Sequence, residues 1–403
     1  METIYMDNNS TTPLSKAALE QLMIWSQAAN PSSQKYELGR VASASLEDAR
    51  KKIARCLNVP PTELYFTSGA TEANNLAIQG VVRSYSNKHA GKKGHIVCSA
   101  LEHKAALEVC KELERRGHVV TYVFPGPPRS SGRVLGSTLQ HAIRPDTCLI
   151  VVMHANNELG TIQDVWGIGK VAKARGIPFH CDCAQSAGRT VGGVKPQSWG
   201  ATSISVSAHK FGGPKGVGCV WISKKCDCLP LSMGGEQEKG MRPGTENMGG
   251  IMAMAAALQN SLANRQQKNA KLRAMCQMIL REFEENRLRF QLLGTPQWGP
   301  EMRLPNTMLV TFLRSPAKPN KAVCNSKIVA YLDGCRPPIA VSIGSACNTK
   351  SRYASHVLDA IEATQEQKQG AIRISLGDHN TPRQCRHLVY RVKEALQDQG
   401  IVY

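Results

Sequence analysis

Nowhere in the 403 residues do about 18 apolar, uncharged residues follow one another, so no transmembrane helix is expected. Internal repeats and long low-complexity tracts are missing as well. With 42% hydrophobic and 20% charged residues, the composition excludes a mostly disordered chain, a collagen-like chain and a small disulfide-stapled scaffold. Aromatics are sparse at 5%, and no basic stretch interleaves with them as a nucleic-acid surface would. The opening Met1–Ser10 carries two acids and no apolar run, which is not the pattern of a signal peptide. Acids are in short supply: 31 Asp and Glu stand against 50 Lys and Arg, a formal charge of +19. That sign favours acidic partners, nucleic acid included. The basic residues are nevertheless spread along the chain, with mild clusters at 88–94, 264–289 and 382–393. A solvated basic surface is the simpler reading, and direct nucleic-acid binding the weaker one.

Cysteine, by contrast, is plentiful at 14 residues, and Cys98, Cys148 and Cys219 lie inside apolar strand-like runs. Such a scatter fits free thiols in a core and a reducing, cytoplasmic setting, not a disulfide framework. At roughly 100–200 residues per domain, two domains are the default. Short apolar runs at Leu64–Thr67, His95–Cys98, Val119–Phe124, Leu149–His154, Pro178–Asp182, Ser203–Val206 and Val217–Ile222 read as buried strands. Helical patterns fall between them at Ser45–Leu57, Ala70–Tyr85, Lys104–Arg116 and Gly167–Arg175, which argues for a parallel sheet covered by helices. Pro125–Arg133 reads as a loop, as does the stretch around Pro316 and Pro319. A long helical pattern covers about 250–288, with Leu272, Met275, Ile279 and Phe283 on one core-facing stripe. The tail from about 370 returns to strand and then helix, so the last third reads as a second, α+β domain.

Three segments carry chemistry. Ser205–Gly218 sets Lys210 beside His209 in a glycine-rich turn after an apolar strand, a setting suited to a Schiff base with an aldehyde cofactor. Surface Lys-Gly loops are common, so this signal is weak alone. His180–Gln185 ends a strand with Asp182, where an aspartate can hold a pyridinium N–H. The competing reading is a zinc site from His180, Cys181 and Cys183, but neighbouring strand residues point to opposite faces, so no metal is expected. Phe66–Asn75 is a strand, a small-residue turn and a helix start, where N–H groups and hydroxyls bind phosphate. A plain N-cap by Ser68 or Thr71 is its ordinary alternative.

Together these segments resemble the cysteine desulfurases, in the class V aminotransferase branch of the fold type I pyridoxal-phosphate enzymes. The likeness runs from Tyr5–Pro13 through Asn30–Ser33, Thr67–Glu72, Glu102–His103, Asn156–Glu158, Asp182 with Gln185, and Ala208–Lys210. It continues at Arg242–Asn247, Arg303–Thr307, Gly344–Cys347 and Ile372–Gly377. The resemblance implies a mostly parallel seven-stranded sheet flanked by helices, over about 15–260. A smaller α+β domain would be built from 1–14 and 261–403. It implies that Lys210 binds pyridoxal 5'-phosphate and moves protons, that Asp182 pairs with the pyridine nitrogen and Gln185 with the ring hydroxyl, and that His103 stacks on the ring and serves acid–base steps. Asn157 would lie near the ring and the substrate carboxylate, and Arg373 would clamp that carboxylate. Ala70, Thr71, Ser207 and His209 would cradle the phosphate, with Thr245 reaching in from the partner of a homodimer. Cys347 would take sulfur from L-cysteine as a persulfide, leaving L-alanine, with Lys350 and Arg352 placed to lower its pKa. The sulfur would pass to an acceptor or scaffold protein for iron–sulfur clusters or thiolated tRNA.

Several positions depart from that family pattern. Gln34-Lys35-Tyr36 stands where a histidine is usual, Gly212 replaces an aromatic residue, Asp378 an arginine and Ser10 an alanine. Selenocysteine lyase is the nearest alternative, since Arg242–Asn247 and Tyr36 are similar to that relative. A non-catalytic scaffold of the same fold, associated with RNA through its basic charge, is a further alternative.

Overall fold

The computed structural model describes residues 2–190, 192–343 and 355–401. Its main sheet has seven strands: β1 (Leu64–Thr67), β2 (His95–Ser99), β3 (Val119–Val123), β4 (Thr147–Val151), β5 (Phe179–Asp182), β6 (Ser203–Ser207) and β7 (Gly218–Ile222). Their spatial order is β1-β7-β6-β5-β4-β2-β3. Strand β7 runs antiparallel to both neighbours, and the remaining pairs are parallel. The expected parallel α/β sheet is therefore present, with one reversed strand.

Helices cover both faces: α1 (Lys16–Trp25), α2 (Glu37–Leu57), α3 (Ala70–Lys88), α4 (Lys104–Arg115), α5 (Val165–Ala174) and α6 (Met248–Leu262). Alternate strand residues feed opposite sides. Val97, Ile150 and Ile204 pack with buried residues of α2, α5 and α6. Ile96, Cys98, Leu149 and Val151 pack with those of α3 and α4. Burial on both faces explains why β2 and β4 read as continuous apolar runs, while β6, buried along its whole length, alternates Ile204 and Val206 with three serines. Strand β1 lies at the sheet edge, where the Phe66 N–H donates to Glu238 Oε2 at 2.7 Å. Glu238 is itself gripped by the Arg50 fork through two 2.7 Å bonds, so this buried pair closes part of an edge that would otherwise stay open.

Two boundaries differ from the sequence reading. Helix α2 starts at Glu37 instead of Ser45, because Leu38 and Val41 face solvent there and break the apolar stripe. The long pattern over 250–288 is two helices, α6 and α7 (Arg265–Glu285). Asn264 adopts a left-handed φ of 53° between them, a conformation asparagine tolerates and periodicity cannot detect.

A second sheet joins β8 (Phe290–Leu293), β9 (Thr307–Phe312), β10 (Ser342–Ile343) and β11 (Ala371–Ser375), all antiparallel in the order β10-β11-β9-β8. Helices α7 and α8 (Pro382–Asp398) cover it. The expected stripe of Leu272, Met275, Ile279 and Phe283 is buried in this second core, together with Ile4 and Met6 from the amino terminus. Ile4–Tyr5 is tied to Ile339–Ala340 by a short parallel pairing. Among the described residues no helix is long and apolar enough to cross a membrane. Phe283 meets Phe290 and Phe312 edge-on at centroid distances of 5.4 and 5.2 Å. Phe283→Ala should therefore cost about 3–5 kcal/mol, measured as a lower urea midpoint; a loss below about 1 kcal/mol would deny this ring its place at the centre of the second core.

Candidate active site

The carboxyl ends of the parallel strands converge on one cavity of about 640 Å³. Strand β1 leads through Gly69 into α3, β2 leads to His103, and β4 to Met153, Ala155 and Asn157. Strand β5 ends on Asp182, and β6 runs into the tight turn Ala208–Lys210. The cavity lining includes Ala70, Thr71, His103, Asn157, Asp182, Gln185, Ser207, His209, Lys210 and Arg373, residues drawn from positions 70 to 373. Thr245 is exposed and is not part of that lining. Cys347 lies outside the described residues.

At one end of the cavity α3 begins without a side-chain cap. A methyl group at Gly69 would sit 3.5 Å from the Ser207 hydroxyl, so the glycine leaves open the space over this helix start. Backbone N–H groups at the start of a 19-residue helix and a hydroxyl beside them form a ready anion cradle. His209 shares a 3.2 Å hydrogen bond with Thr11, and burial with nearby Lys210 and Lys215 brings its pKa down to about 4. At neutral pH the ring therefore adds hydrogen bonding here, not charge.

Asp182 is almost fully buried and oriented from two sides. Its Oδ1 accepts the Ala184 N–H at 2.8 Å and its Oδ2 accepts Asn74 Nδ2 at 2.8 Å. Asn74 Oδ1 is 2.9 Å from His180 Nε2, and His180 Nδ1 is 2.9 Å from the Ser203 hydroxyl. Burial lowers the His180 pKa to about 4, which keeps this ring neutral with its proton on Nε2 toward the amide oxygen. The chain Ser203–His180–Asn74 thus sets the angle of the Asp182 carboxylate. His180 is fully used in that chain, and among the described residues no group of three or more His, Cys, Asp or Glu side chains is arranged to hold a metal ion.

His103 accepts the Ala105 N–H at 3.1 Å through Nδ1, so the neutral ring carries its proton on Nε2. Burial is the main cause of its lowered pKa; Lys210, His356 and Lys104 push the same way, against Asp182. Lys210 Nζ donates to the Asn9 and Ser10 carbonyl oxygens at 2.7 and 2.8 Å. Burial first, then Arg189 and Arg373, lower its pKa to about 8, against Asp182 and Asp7. Gln185 is held between the Asn9 carbonyl, at 3.0 Å, and Arg189. At the other side, Arg373 donates to Asp7 Oδ1 at 2.7 Å and to the Asn157 carbonyl at 3.2 Å, while its buried Nε has no partner among the described residues.

These donors fit pyridoxal phosphate: an anion cradle, a fixed carboxylate, a neutral imidazole and a lysine amine share one cavity. The departures from the family pattern sit at its margins. Gly212 has φ of 85° and accepts the Ser15 N–H, a backbone state that a bulky residue enters only with strain. Asp378 lines a neighbouring cavity and faces Lys268 at 3.7 Å. Ser10 contributes its carbonyl, which any residue supplies. Sequence reasoning missed Asp7, Asn9, Asn74 and Arg189. Asn74 lay inside the quoted Phe66–Asn75 segment and Arg189 one helical turn beyond Gln185, and neither position carries a signal until the fold brings its partner near.

The class-V aminotransferase model matches residues 4–388. A cysteine desulfurase IscS of Dictyoglomus turgidum is 38% identical over 94% of this chain and 90% of its own length. Its counterpart of Methanosarcina thermophila is 38% identical over 98% and 92%. Among solved structures, a NifS-like protein superposes with a TM-score of 0.85 at 31% identity, covering 98% of this chain and all of that one. SspA in complex with cysteine gives 0.76 at 34% identity, covering 94% of this chain and all of that one. A matching family model over nearly the whole chain, full-length relatives and a cavity of this construction agree: the chain belongs to the cysteine desulfurase family of class-V aminotransferases.

Proposed function

We propose that the chain is a pyridoxal-phosphate enzyme that takes sulfur from L-cysteine, releases L-alanine and keeps the sulfur as a persulfide on Cys347. Transfer to an acceptor protein, for iron–sulfur cluster assembly or tRNA thiolation, would follow. The observation that carries this reading is the joint presence of Lys210, Asp182 and His103 in one cavity, between an uncapped helix start and Arg373. The reaction balances without a further reactant. The substrate's C–S bond breaks and an S–S bond to Cys347 forms; one thiol proton ends on the alanine methyl carbon and the other on the persulfide.

Bound pyridoxal phosphate supplies an electron sink for the substrate's Cα. The chain's own groups do the rest. The first turn of α3, Ser207 and His209 hold the phosphate, and Asp182 holds the pyridine N–H. Gln185 faces the ring hydroxyl, and His103 covers the ring with a neutral imidazole able to pass a proton at Nε2. Arg373 and Asn157 receive the substrate carboxylate; the Arg373 Nε, without a partner among the described residues, offers it a donor. Lys210 Nζ, with its pKa near the operating range, takes and returns protons. We place Thr245 in the site of a second copy of the chain. The exposed Leu19, Met23 and Ile24 of α1 and Leu38 and Val41 of α2 give that copy an apolar face to cover.

The purified protein should absorb at roughly 400 nm, and adding L-cysteine together with a thiol reductant that cleaves the persulfide should yield alanine and sulfide. A colourless protein that stays inactive with added pyridoxal phosphate would overturn the proposal. Asp182→Asn should lower the rate of alanine formation about 100-fold or more without unfolding the chain. With Cys347→Ala, turnover of L-cysteine should collapse while selenocysteine is still cleaved; equal activity on L-cysteine would remove Cys347 from its role.

The lysine also gives a stability signature. Its pKa of about 8 lies below the ordinary 10.5, so above pH 8 the unfolded chain binds more protons than the folded one. Below pH 8 the folded state bears the full cost of the buried ammonium, and that cost fades toward pH 10.5. In cofactor-free protein, the stability of wild type relative to Lys210→Met should therefore rise across this window; a flat difference in urea unfolding would contradict a depressed lysine pKa.

A further inference from the structure

Arg189 is buried, and no carboxylate among the described residues pairs with it. Six hydrogen bonds satisfy it instead. Its Nε and Nη2 both donate to the Lys210 carbonyl, at 3.1 and 2.7 Å. Nη2 also reaches the Asn8 carbonyl at 2.7 Å and the Thr12 hydroxyl at 3.1 Å. Nη1 donates to Asn9 Oδ1 at 2.5 Å and Gln185 Oε1 at 2.8 Å. The arginine's own carbonyl is fixed by Asn269 Nδ2 of α7 at 2.7 Å. One guanidinium therefore touches the lysine's main chain, the residue expected on the ring hydroxyl, and the amino-terminal segment that supplies both acceptors of the lysine amine.

Resting on the reading of Lys210 given above, we propose that Arg189 is a positioning residue that clamps the Lys210 turn to the Asn8–Thr12 segment and so fixes where the Lys210 amine lies. The amine's acceptors are the Asn9 and Ser10 carbonyls, and the clamp holds this same segment from behind. A planar fork with five N–H donors can span these acceptors at once, while a lysine ammonium at the same place cannot. The guanidinium charge acts in the same direction as the geometry, because Arg189 is the largest charged contributor lowering the Lys210 pKa, after burial itself. The groups facing the amine are Arg189 and Arg373 on one side of the balance and Asp182 and Asp7 on the other. Those facing Arg189 are Arg265, Arg373, Asp378 and Tyr5, and burial leaves its pKa at about 9, so it stays charged at neutral pH. His379 and Asn269 complete the surroundings through the adjoining cavity, which Arg189 also lines.

The test compares wild type, Arg189→Lys and Arg189→Met as full-length chains. Amide hydrogen exchange over 208–213 and at Thr12, whose N–H bonds the His209 carbonyl, reads the clamp directly. Both variants should exchange there at least about tenfold faster than wild type, with α3 and α4 unchanged. Lys210 is then titrated by carbon-13 reductive methylation after any cofactor is removed, its signal assigned with Lys210→Arg. In Arg189→Met the lysine pKa should rise by about one unit, a tenfold shift in proton affinity, and in Arg189→Lys by clearly less because the charge remains. Unchanged exchange at 208–213 in Arg189→Lys, or an unshifted lysine in a folded Arg189→Met, would overturn the proposal. Neither readout uses L-cysteine, so failure of the desulfurase reading would appear separately, as absent alanine with the clamp intact.

Discussion

A guanidinium buried without a counter-charge must be met by oxygen dipoles from several directions, and much of this molecule is arranged to meet that demand. Arg189 gathers carbonyls and side-chain oxygens from residues 8, 9, 12, 185 and 210 around one side chain. Arg303 does the same between the two cores. It donates to the carbonyls of Leu293 at the end of β8, Thr295 in the connection that follows and Thr307 at the start of β9, and to that of Leu159 beyond the Asn156–Glu158 turn. Leaving such a cation half satisfied is costly, so each arginine fixes the backbone segments that surround it. The Lys210 turn, the amino-terminal segment and the cavity wall meet around these two side chains.

The cavity is also an electrostatic balance. Its cations, Lys210 and Arg373, face the carboxylates of Asp182 and Asp7, while burial holds His103, His180 and His209 neutral. Burial also drives the Glu102 carboxyl, next in sequence to His103, well above its ordinary range. With three imidazoles removed from the count, the charges left around the cavity include Asp182 and Lys210, with the Arg373–Asp7 pair at its side. That is the field an electron-withdrawing pyridine ring requires, since its ring N–H needs one fixed negative partner.

Legibility from sequence followed the range of the interactions involved. The central strands β2, β4, β5, β6 and β7 were visible because both faces of the sheet are buried there, and the motifs around Lys210, Asp182 and Gly69 stood out because each is contiguous. The Leu272–Phe283 stripe was legible for the same reason, since i, i+3, i+4 spacing is a local property. The break at Asn264 was not, because one left-handed residue leaves the hydrophobic pattern intact on either side.

By itself, then, the sequence determined the α/β alternation and the contiguous motifs around Lys210, Asp182 and Gly69, and through its resemblance to a family it named ten residues of the cavity wall but not Asn9. Tertiary structure alone decided which distant groups meet. Asn74 finds Asp182 because α3 packs across β5, Arg373 finds Asp7 because β11 runs beside the amino-terminal segment, and Arg189 finds Lys210 because the turns after β5 and β6 lie side by side. Residue type announces none of these meetings, for the desolvation that makes them obligatory exists only once the chain has closed around them.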